Sequence, residues 1–351
     1  MMSVVMNVVG ARPQFIKAGP VSRSLAMAEI TEILVHTGQH YDDLMSDAIM
    51  VDVGLREPDF NLGVGSGTHG AQTAQILEKL EALILAGRPD AVLIYGDTNS
   101  TVAAALASAK LGVLTVHVEA GLRSFNRTMP EELNRVVTDH LSDMLMAPTE
   151  SAMDHLSREG LAGRSLLSGD VMVDALQSID LAEVDTPVWA INDYYVATIH
   201  RPENTDDAER LTDVLDALGS LNAAVHLIAH PRLRQRIQDF GLNETSTGEL
   251  AIHDPLPYSV MLKVVADSRG VLTDSGGLQK EAFVLGVPCV TLREETEWPE
   301  TLVGDWNVLA GKQLGLLKSL AKRMPGATID QPFGDGRAAA RIVEEVTKRI
   351  S

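Results

Sequence analysis

Residues 91–120 read AVLIYGDTNSTVAAALASAKLGVLTVHVEA, and this stretch decides the fold. An apolar run ends in Gly96 and Asp97, a longer helical pattern follows, and a second apolar run, VLTVHV, ends at Glu119. Runs that stay apolar along their whole length, instead of alternating, suit strands covered on both faces, which is the condition of a parallel sheet with crossover helices. The same pattern recurs outward from here: VVMNVV and EILVH before it, then YYVATIH, VHLIAH, GVLTD and PCVTL after it. The expected class is therefore α/β. Many of these runs end in Gly10, Asp97, Glu119, His200, His230 or Asp274. Ligands of open α/β sheets gather at the carboxyl ends of the strands, so the chemistry is sought at these residues.

A chain of 351 residues is long for one ordinary core. Residues 181–192, LAEVDTPVWAIN, interrupt the helical period, which sets an expected first domain at about 1–180 and a second at 190–332. The last helical pattern aligns Ile342, Val343, Val346 and Ile350 on one stripe that must dock somewhere, and segment 333–351 could return to the first domain. With 29 basic and 48 acidic residues the formal charge is -19, which argues against nucleic acid or an anionic membrane as partner while still allowing a small anion in a local pocket. Cys289 is the only cysteine, so no intrachain disulfide can form. The N-terminal residues lack a basic signal region, and no apolar run approaches the ~20 residues of a membrane span, so a cytoplasmic protein is expected.

In GARPQFIK, Pro13 suits the first helical position and places Arg12 at a strand end beside a helix N-terminus, where a phosphate would meet a charge and free amide donors. A solvated turn arginine fits the segment equally well. Gly65, Gly67 and Gly70 match a G-x-G-x-x-G pattern, but no buried strand precedes them, so an NAD site is not expected. His36 and His40, and His226 and His230, have H-x-x-x-H spacing around strand ends without a third ligand; no metal is expected there. Asp97, Glu119 and Glu131 form an acidic set whose members could converge and, by mutual repulsion or burial, become proton carriers. Each alone is more often a capping or surface acid, Glu131 above all, since it opens a helix after Pro130. His200 ends a strand in IHRPEN, and Ser275, Gly276 and Gly277 join a strand to a helix in LTDSGGLQKEA. That junction offers a hydroxyl and amides to a diphosphate, and Glu281 one turn on could accept a ribose hydroxyl, although a well-capped crossover reads the same way. The residues by themselves point to a nucleotide-binding cleft between two α/β domains.

Taken together and in order, GARPQFIK, GQH, GDTNSTVA, HVEAGLRS, MPEELNR, HRPEN, LTDSGGLQKEA and PFGDGRAA resemble the non-hydrolysing UDP-N-acetylglucosamine 2-epimerase family over essentially the whole chain. The resemblance implies two Rossmann-like domains in a glycosyltransferase-B arrangement, with the active site in the interdomain cleft and segment 333–351 crossing back to the first domain, and a homodimer acting on a UDP-sugar without redox cofactor or metal. It implies elimination of UDP to a 2-acetamidoglucal and re-addition with protonation on the opposite face. By position, Asp97, Glu119 and Glu131 match the catalytic carboxylates and His200 the active-site histidine. Arg12 and Lys17 match cations near the diphosphate, His40 and Arg135 fall in the matching GQH and MPEELNR motifs, and His230 matches a histidine of the cleft. Ser275, Gly276 and Gly277 match the phosphate-binding junction, and Glu281 the ribose ligand. Four departures stand out: Gln14 where many bacterial members have Glu, Pro202 where they have an arginine tied to an activating UDP-sugar site, YDDL after His40, and Trp298 in place of Arg. GARPQFIK and ETEW also resemble the branch acting on UDP-2,3-diacetamido-2,3-dideoxyglucuronic acid. Hydrolysis to N-acetylmannosamine and UDP, glycosyl transfer, and a nucleotide-sugar-binding regulator are the other readings, the last two weakened by the retained carboxylates.

Overall fold

Valines at 4, 5, 8 and 9 make the first strand, β1 (Val4–Val9), a stiff β-branched ribbon buried along most of its length. Its one polar side chain, Asn7, is fully buried and donates to Glu32 Oε1 at 2.7 Å, so the burial leaves its amide nitrogen paired. The computed structural model describes residues 3–39, 49–191, 193–242, 249–326 and 331–351. His40, one of the expected site residues, lies outside them.

Among the described residues, β1 belongs to a parallel sheet with β2 (Thr31–His36), β3 (Phe60–Asn61), β4 (Ala91–Tyr95), β5 (Leu114–Val118), β6 (Met144–Ala147) and β7 (Ser165–Leu167), in the order β3-β2-β1-β4-β5-β6-β7. A second parallel sheet runs β10-β9-β8-β11-β12-β13, from β8 (Tyr194–Thr198), β9 (Ala224–Ile228), β10 (Leu250–His253), β11 (Gly270–Thr273), β12 (Cys289–Thr291) and β13 (Asn307–Leu309). The class is α/β. In each sheet the winding reverses once, between β1 and β4 and between β8 and β11. Crossover loops diverge at such a switch point and open a crevice beyond the strand ends. Gly10 to Arg12 follow β1 and Gly96 to Asp97 follow β4; His200 follows β8 and Asp274 to Gly277 follow β11.

The chain separates into two compact units, Met1–Ile179 with Gln331–Ser351, and Asp180–Asp330. In the first, the terminal helix Ala338–Ile350 buries Ile342, Val343 and Val346 and packs against helices Arg12–Met27 and Val171–Gln177. Asp174 caps it, accepting the Ala338 and Ala339 amides at 3.1 and 2.9 Å. In the second unit, Trp189 stacks on His253 at 4.2 Å and packs at a tilt against His226 at 4.4 Å, so residues that interrupt the helical period are nonetheless packed. The glycine-rich stretch around Gly65 leads into the helix His69–Gly87, whose Ile76 and Leu80 are buried. Cys289 is buried too, and burial pushes its thiol up to about 12. No helix among the described residues is long and apolar enough to cross a membrane.

Candidate active site

In the first unit the acids after β4 and β5 meet cations from two helices. Glu119 takes a left-handed backbone, φ 70°, a conformation that costs a non-glycine residue about 1–3 kcal/mol. Its amide and that of Ala120 both bond the Met146 carbonyl, at 3.1 and 3.0 Å, which holds the strained turn. The carboxylate is turned onto the Lys17 ammonium, and both side chains are buried. Breaking such a pair leaves a buried charge unmatched, so the two groups stand or fall together. Gly96 lies beside them: a Cβ on it would sit 3.3 Å from Glu119 Oε2 and 3.6 Å from Lys17 Nζ, and its φ is 62°. Asp97 next to it is gripped by Arg135, through Nε at 3.0 Å and Nη2 at 2.6 Å, while Asn134 donates to the Asp97 carbonyl at 2.9 Å.

Arg135 and Asn134 ride on the helix Pro130–Leu141, with Glu131 exposed in its first turn. Its neighbour Glu132 is buried and accepts the amides of Ser124 and Phe125 at 2.9 and 3.0 Å. Burial alone would raise the Glu132 carboxyl; the Ser124 amide and Arg135 outweigh it and hold the group low. Of this adjacent pair, Glu132 is committed to the loop and Glu131 faces solvent.

The helix start at Arg12 differs from the expectation of open amide donors. Gln14 Oε1 accepts the amides of Gly10 and Ala11 at 2.7 and 3.0 Å, so the two amides that lead into the helix are already engaged. The other end of Gln14 donates to the Tyr95 carbonyl at 2.7 Å and to the hydroxyls of Thr98 and Thr101 at 3.1 and 3.0 Å. A carboxylate at this position has no proton for that carbonyl, which gives the glutamine a structural reason.

In the second unit His200 and the Ser275 junction share one buried acid. Asp274 lies 3.0 Å from His200 Nδ1, accepts the His200 and Arg201 amides at 3.0 Å each, and takes Asn204 Nδ2 at 3.0 Å. Burial would raise this carboxyl, but the bonds from His200, Asn204 and Arg201 prevail and lower it. The ring of His200, half exposed, is thereby held by one nitrogen with the other turned away from Asp274. Ser275 is the N-cap of the helix Gly276–Val284, its hydroxyl 3.4 Å from the Leu278 amide. A Cβ on Gly276 would come 2.5 Å from Glu297 Oε1, so a side chain here would displace the Glu297 carboxylate. Glu281 is buried and accepts the Tyr258 hydroxyl at 3.0 Å. His230 is exposed and caps the helix Pro231–Asp239, accepting the Arg232 amide at 3.3 Å.

The family model described as UDP-N-acetylglucosamine 2-epimerase matches residues 23–347. The chain belongs to the UDP-N-acetylglucosamine 2-epimerase family. It is 43% identical to a UDP-N-acetylglucosamine 2-epimerase homolog of Methanococcus maripaludis, covering 97% of this chain and 98% of that one. It is 44% identical to the UDP-2,3-diacetamido-2,3-dideoxy-D-glucuronate 2-epimerase of Pseudomonas aeruginosa, over 98% and 99% of the two chains. The solved structure of Methanocaldococcus jannaschii UDP-GlcNAc 2-epimerase in complex with UDP-GlcNAc and UDP superposes with a TM-score of 0.91 at 38% identity, covering 99% of this chain and all of that one.

Within this 2-epimerase, three residues outside the candidate set hold its members through contacts that the sequence pattern does not show. Asp274 ends a strand, but its grip on His200 follows only from the pairing of β8 with β11. His117 and Asp139 lie under the Gly96 turn, fully buried, with His117 Nδ1 2.7 Å from Asp139 Oδ1. The available signal for His117 is its place inside an apolar parallel strand, where a polar ring must find partners.

Proposed function

We propose that this 2-epimerase interconverts UDP-N-acetylglucosamine and UDP-N-acetylmannosamine by eliminating and re-adding UDP. The observation that carries the reading is the pairing of Asp97 with Arg135 and of Glu119 with Lys17 at neighbouring strand ends in a chain related to such epimerases along its whole length. In the forward half, a carboxylate takes the proton from C2, the C2–H electron pair becomes the C1–C2 double bond, and the C1–O bond breaks with its pair leaving on the β-phosphate oxygen. In the return half, that oxygen attacks C1 while a second group delivers a proton to the opposite face of C2. Asp97, Glu119 and Glu131 are the proton carriers in this scheme, with His200 assisting. Arg12, Ser275, Gly276 and Gly277 take the diphosphate and Glu281 the ribose. Ionised carboxylates beside fixed cations cost little reorganisation as charge moves, which is what elimination of a weak carbon acid needs.

A second substrate is favoured by the 44% identity to the Pseudomonas aeruginosa 2-epimerase, together with Gln14 and Trp298: the 2,3-diacetamido-2,3-dideoxyglucuronate. Kinship also supports a homodimer, and the acidic charge and single buried cysteine support a cytoplasmic enzyme. Following the anomeric protons by NMR over a panel of UDP-sugars tests the reading. Formation of the C2 epimer of UDP-N-acetylglucosamine supports it, turnover of the uronate alone moves the assignment to the second substrate, and release of free sugar with UDP identifies hydrolysis.

A further inference from the structure

His117, the fourth of the five residues of β5, has no exposed surface, and each of its ring nitrogens faces an acceptor. Nδ1 is 2.7 Å from Asp139 Oδ1 and Nε2 is 2.8 Å from the carbonyl oxygen of Gly96. A carbonyl accepts only, so Nε2 carries a proton. Asp139 is ionised in its role here: Arg123 Nη1 lies 2.7 Å from its other oxygen, and the Gly121 amide donates to that oxygen at 3.1 Å. Burial opposes the charge on Asp139, yet His117 and Arg123 hold its carboxyl below the usual range. Nδ1 therefore also donates, and the ring carries a proton on both nitrogens. Arg123 passes on to the partly exposed Glu159, so His117, Asp139, Arg123 and Glu159 together balance two positive charges against two negative ones.

The carbonyl that this ring holds belongs to the turn of the candidate active site. Gly96 precedes Asp97, and its α-carbon faces Glu119 and Lys17 within van der Waals reach of a would-be side chain. We propose that His117 is a positioning residue for the 2-epimerase reaction: a doubly protonated imidazole that ties Asp139 to the Gly96 carbonyl and so fixes the turn that presents Asp97 and packs against Glu119. The proposal rests on the epimerase reading above. A displacement of about 1 Å at reacting groups costs on the order of 100-fold, so a residue that never touches substrate can still govern turnover.

Two substitutions separate this role from simple space filling. In His117→Asn the shorter amide can still donate to Asp139 but falls short of the Gly96 carbonyl; in His117→Gln the longer amide can reach Gly96 and leaves Asp139 with one donor fewer. Positioning through Gly96 makes Asn the worse variant: kcat falls about 100-fold in His117→Asn and about 10-fold in His117→Gln, with KM within about 3-fold in both. The reverse ranking, or wild-type kcat in His117→Asn, overturns the proposal. Nitrogen-15 NMR of histidine-labelled wild-type protein at neutral pH reads the ring directly and is unaffected by any variant that fails to fold. Two protonated ring nitrogens are expected at His117, and a neutral tautomer overturns the proposal. If the wild-type protein turned over no UDP-sugar, the epimerase reading would fall and with it His117's positioning role, while the ring signals would still report whether the clamp exists.

Discussion

Arg135 places both of its bonds to Asp97 on a single carboxylate oxygen, Oδ2, at 3.0 and 2.6 Å. Both bonds anchor the acid through Oδ2, an arrangement compatible with the proton-carrying role proposed for Asp97. Asp97→Asn is therefore expected to keep the fold, since an amide can occupy the same space, and to cut turnover by roughly 10²–10⁴-fold, the scale of a positioned acid or base. Glu119→Gln and Glu131→Gln are expected to fall in the same range. Initial rates together with melting curves check this; near-wild-type turnover in any one of the three removes that residue from the proton carriers.

Asp274 collects four donors from the His200 loop, and its carboxyl is held below its ordinary value. A carboxyl lowered on folding contributes stability that is complete above its unfolded value, about 3.9, and is lost as pH falls through the folded value. Asp274→Asn removes that increment and leaves buried amides facing a weaker acceptor. The melting temperature of the variant is expected to lie below wild type near neutral pH, with the gap narrowing below about pH 4. A gap that stays constant down to strongly acidic pH would mean that Asp274 is not ionised in the native state.

The switch points were open to reading because unbroken apolar runs mark buried parallel strands, and each such run simply stops at the residue that faces the crevice. Asp97, Glu119, His200 and Ser275 are visible in this way. His117 is not, because a histidine among valines and threonine has the same local pattern whether it is a core filler or a clamp on a neighbouring strand. Its partners are 21 and 22 residues away in sequence. The strands β3, β7 and β13, of two or three residues, have too few positions to show any period. The Gln14 clamp escapes for another reason: a helix that begins with Arg-Pro signals open amides, and only the folded chain brings a side chain back from the first turn to occupy them.

His226 gives the second unit an acid-sensitive spot. Burial, with a smaller repulsion from His253, lowers its pKa to about 4, and its Nδ1 is 2.9 Å from His253 Nε2 beneath Trp189. The folded state thus prefers the neutral ring while the unfolded chain binds a proton near pH 6.5. The sign follows: this contribution to stability is complete above about 6.5 and is lost as pH falls toward 4, by on the order of 1 kcal/mol after solvent screening. In His226→Phe the melting temperature is expected to vary less with pH between those values. An unchanged slope would place the acid sensitivity elsewhere.

The Ser275 junction and Arg12 are assigned to the diphosphate, not to the sugar ring. Ser275→Ala and Arg12→Ala are therefore expected to weaken UDP itself, each by roughly 10-fold, the worth of one charge-assisted hydrogen bond. Calorimetric titration with UDP measures this without any sugar present. Unchanged affinity in both variants would move the diphosphate to another part of the chain.

Turnover in D₂O tests the chemistry most directly. If a carboxylate removes the C2 proton, it holds that proton on an oxygen that exchanges with solvent, and the proton delivered to the opposite face comes from a different group. Deuterium is then expected at C2 once per inversion, and mass spectrometry with proton NMR of the recovered UDP-sugar reads it. Because a carbon beside an acetamido nitrogen is a weak acid, proton removal must be coupled to departure of the diphosphate. Prolonged incubation should therefore accumulate a little 2-acetamidoglucal and free UDP in equal amounts. Glu119 sits at a strained φ of 70° against Lys17, so Glu119→Gln, if Glu119 carries one of the two protons, is expected to slow label entry and inversion alike. A variant that exchanges C2 with solvent yet no longer inverts would mark the residue that serves only the second face. Retention of the original hydrogen at C2 in the inverted product would refute proton abstraction into exchangeable groups and require a route in which the hydrogen is carried across without meeting water.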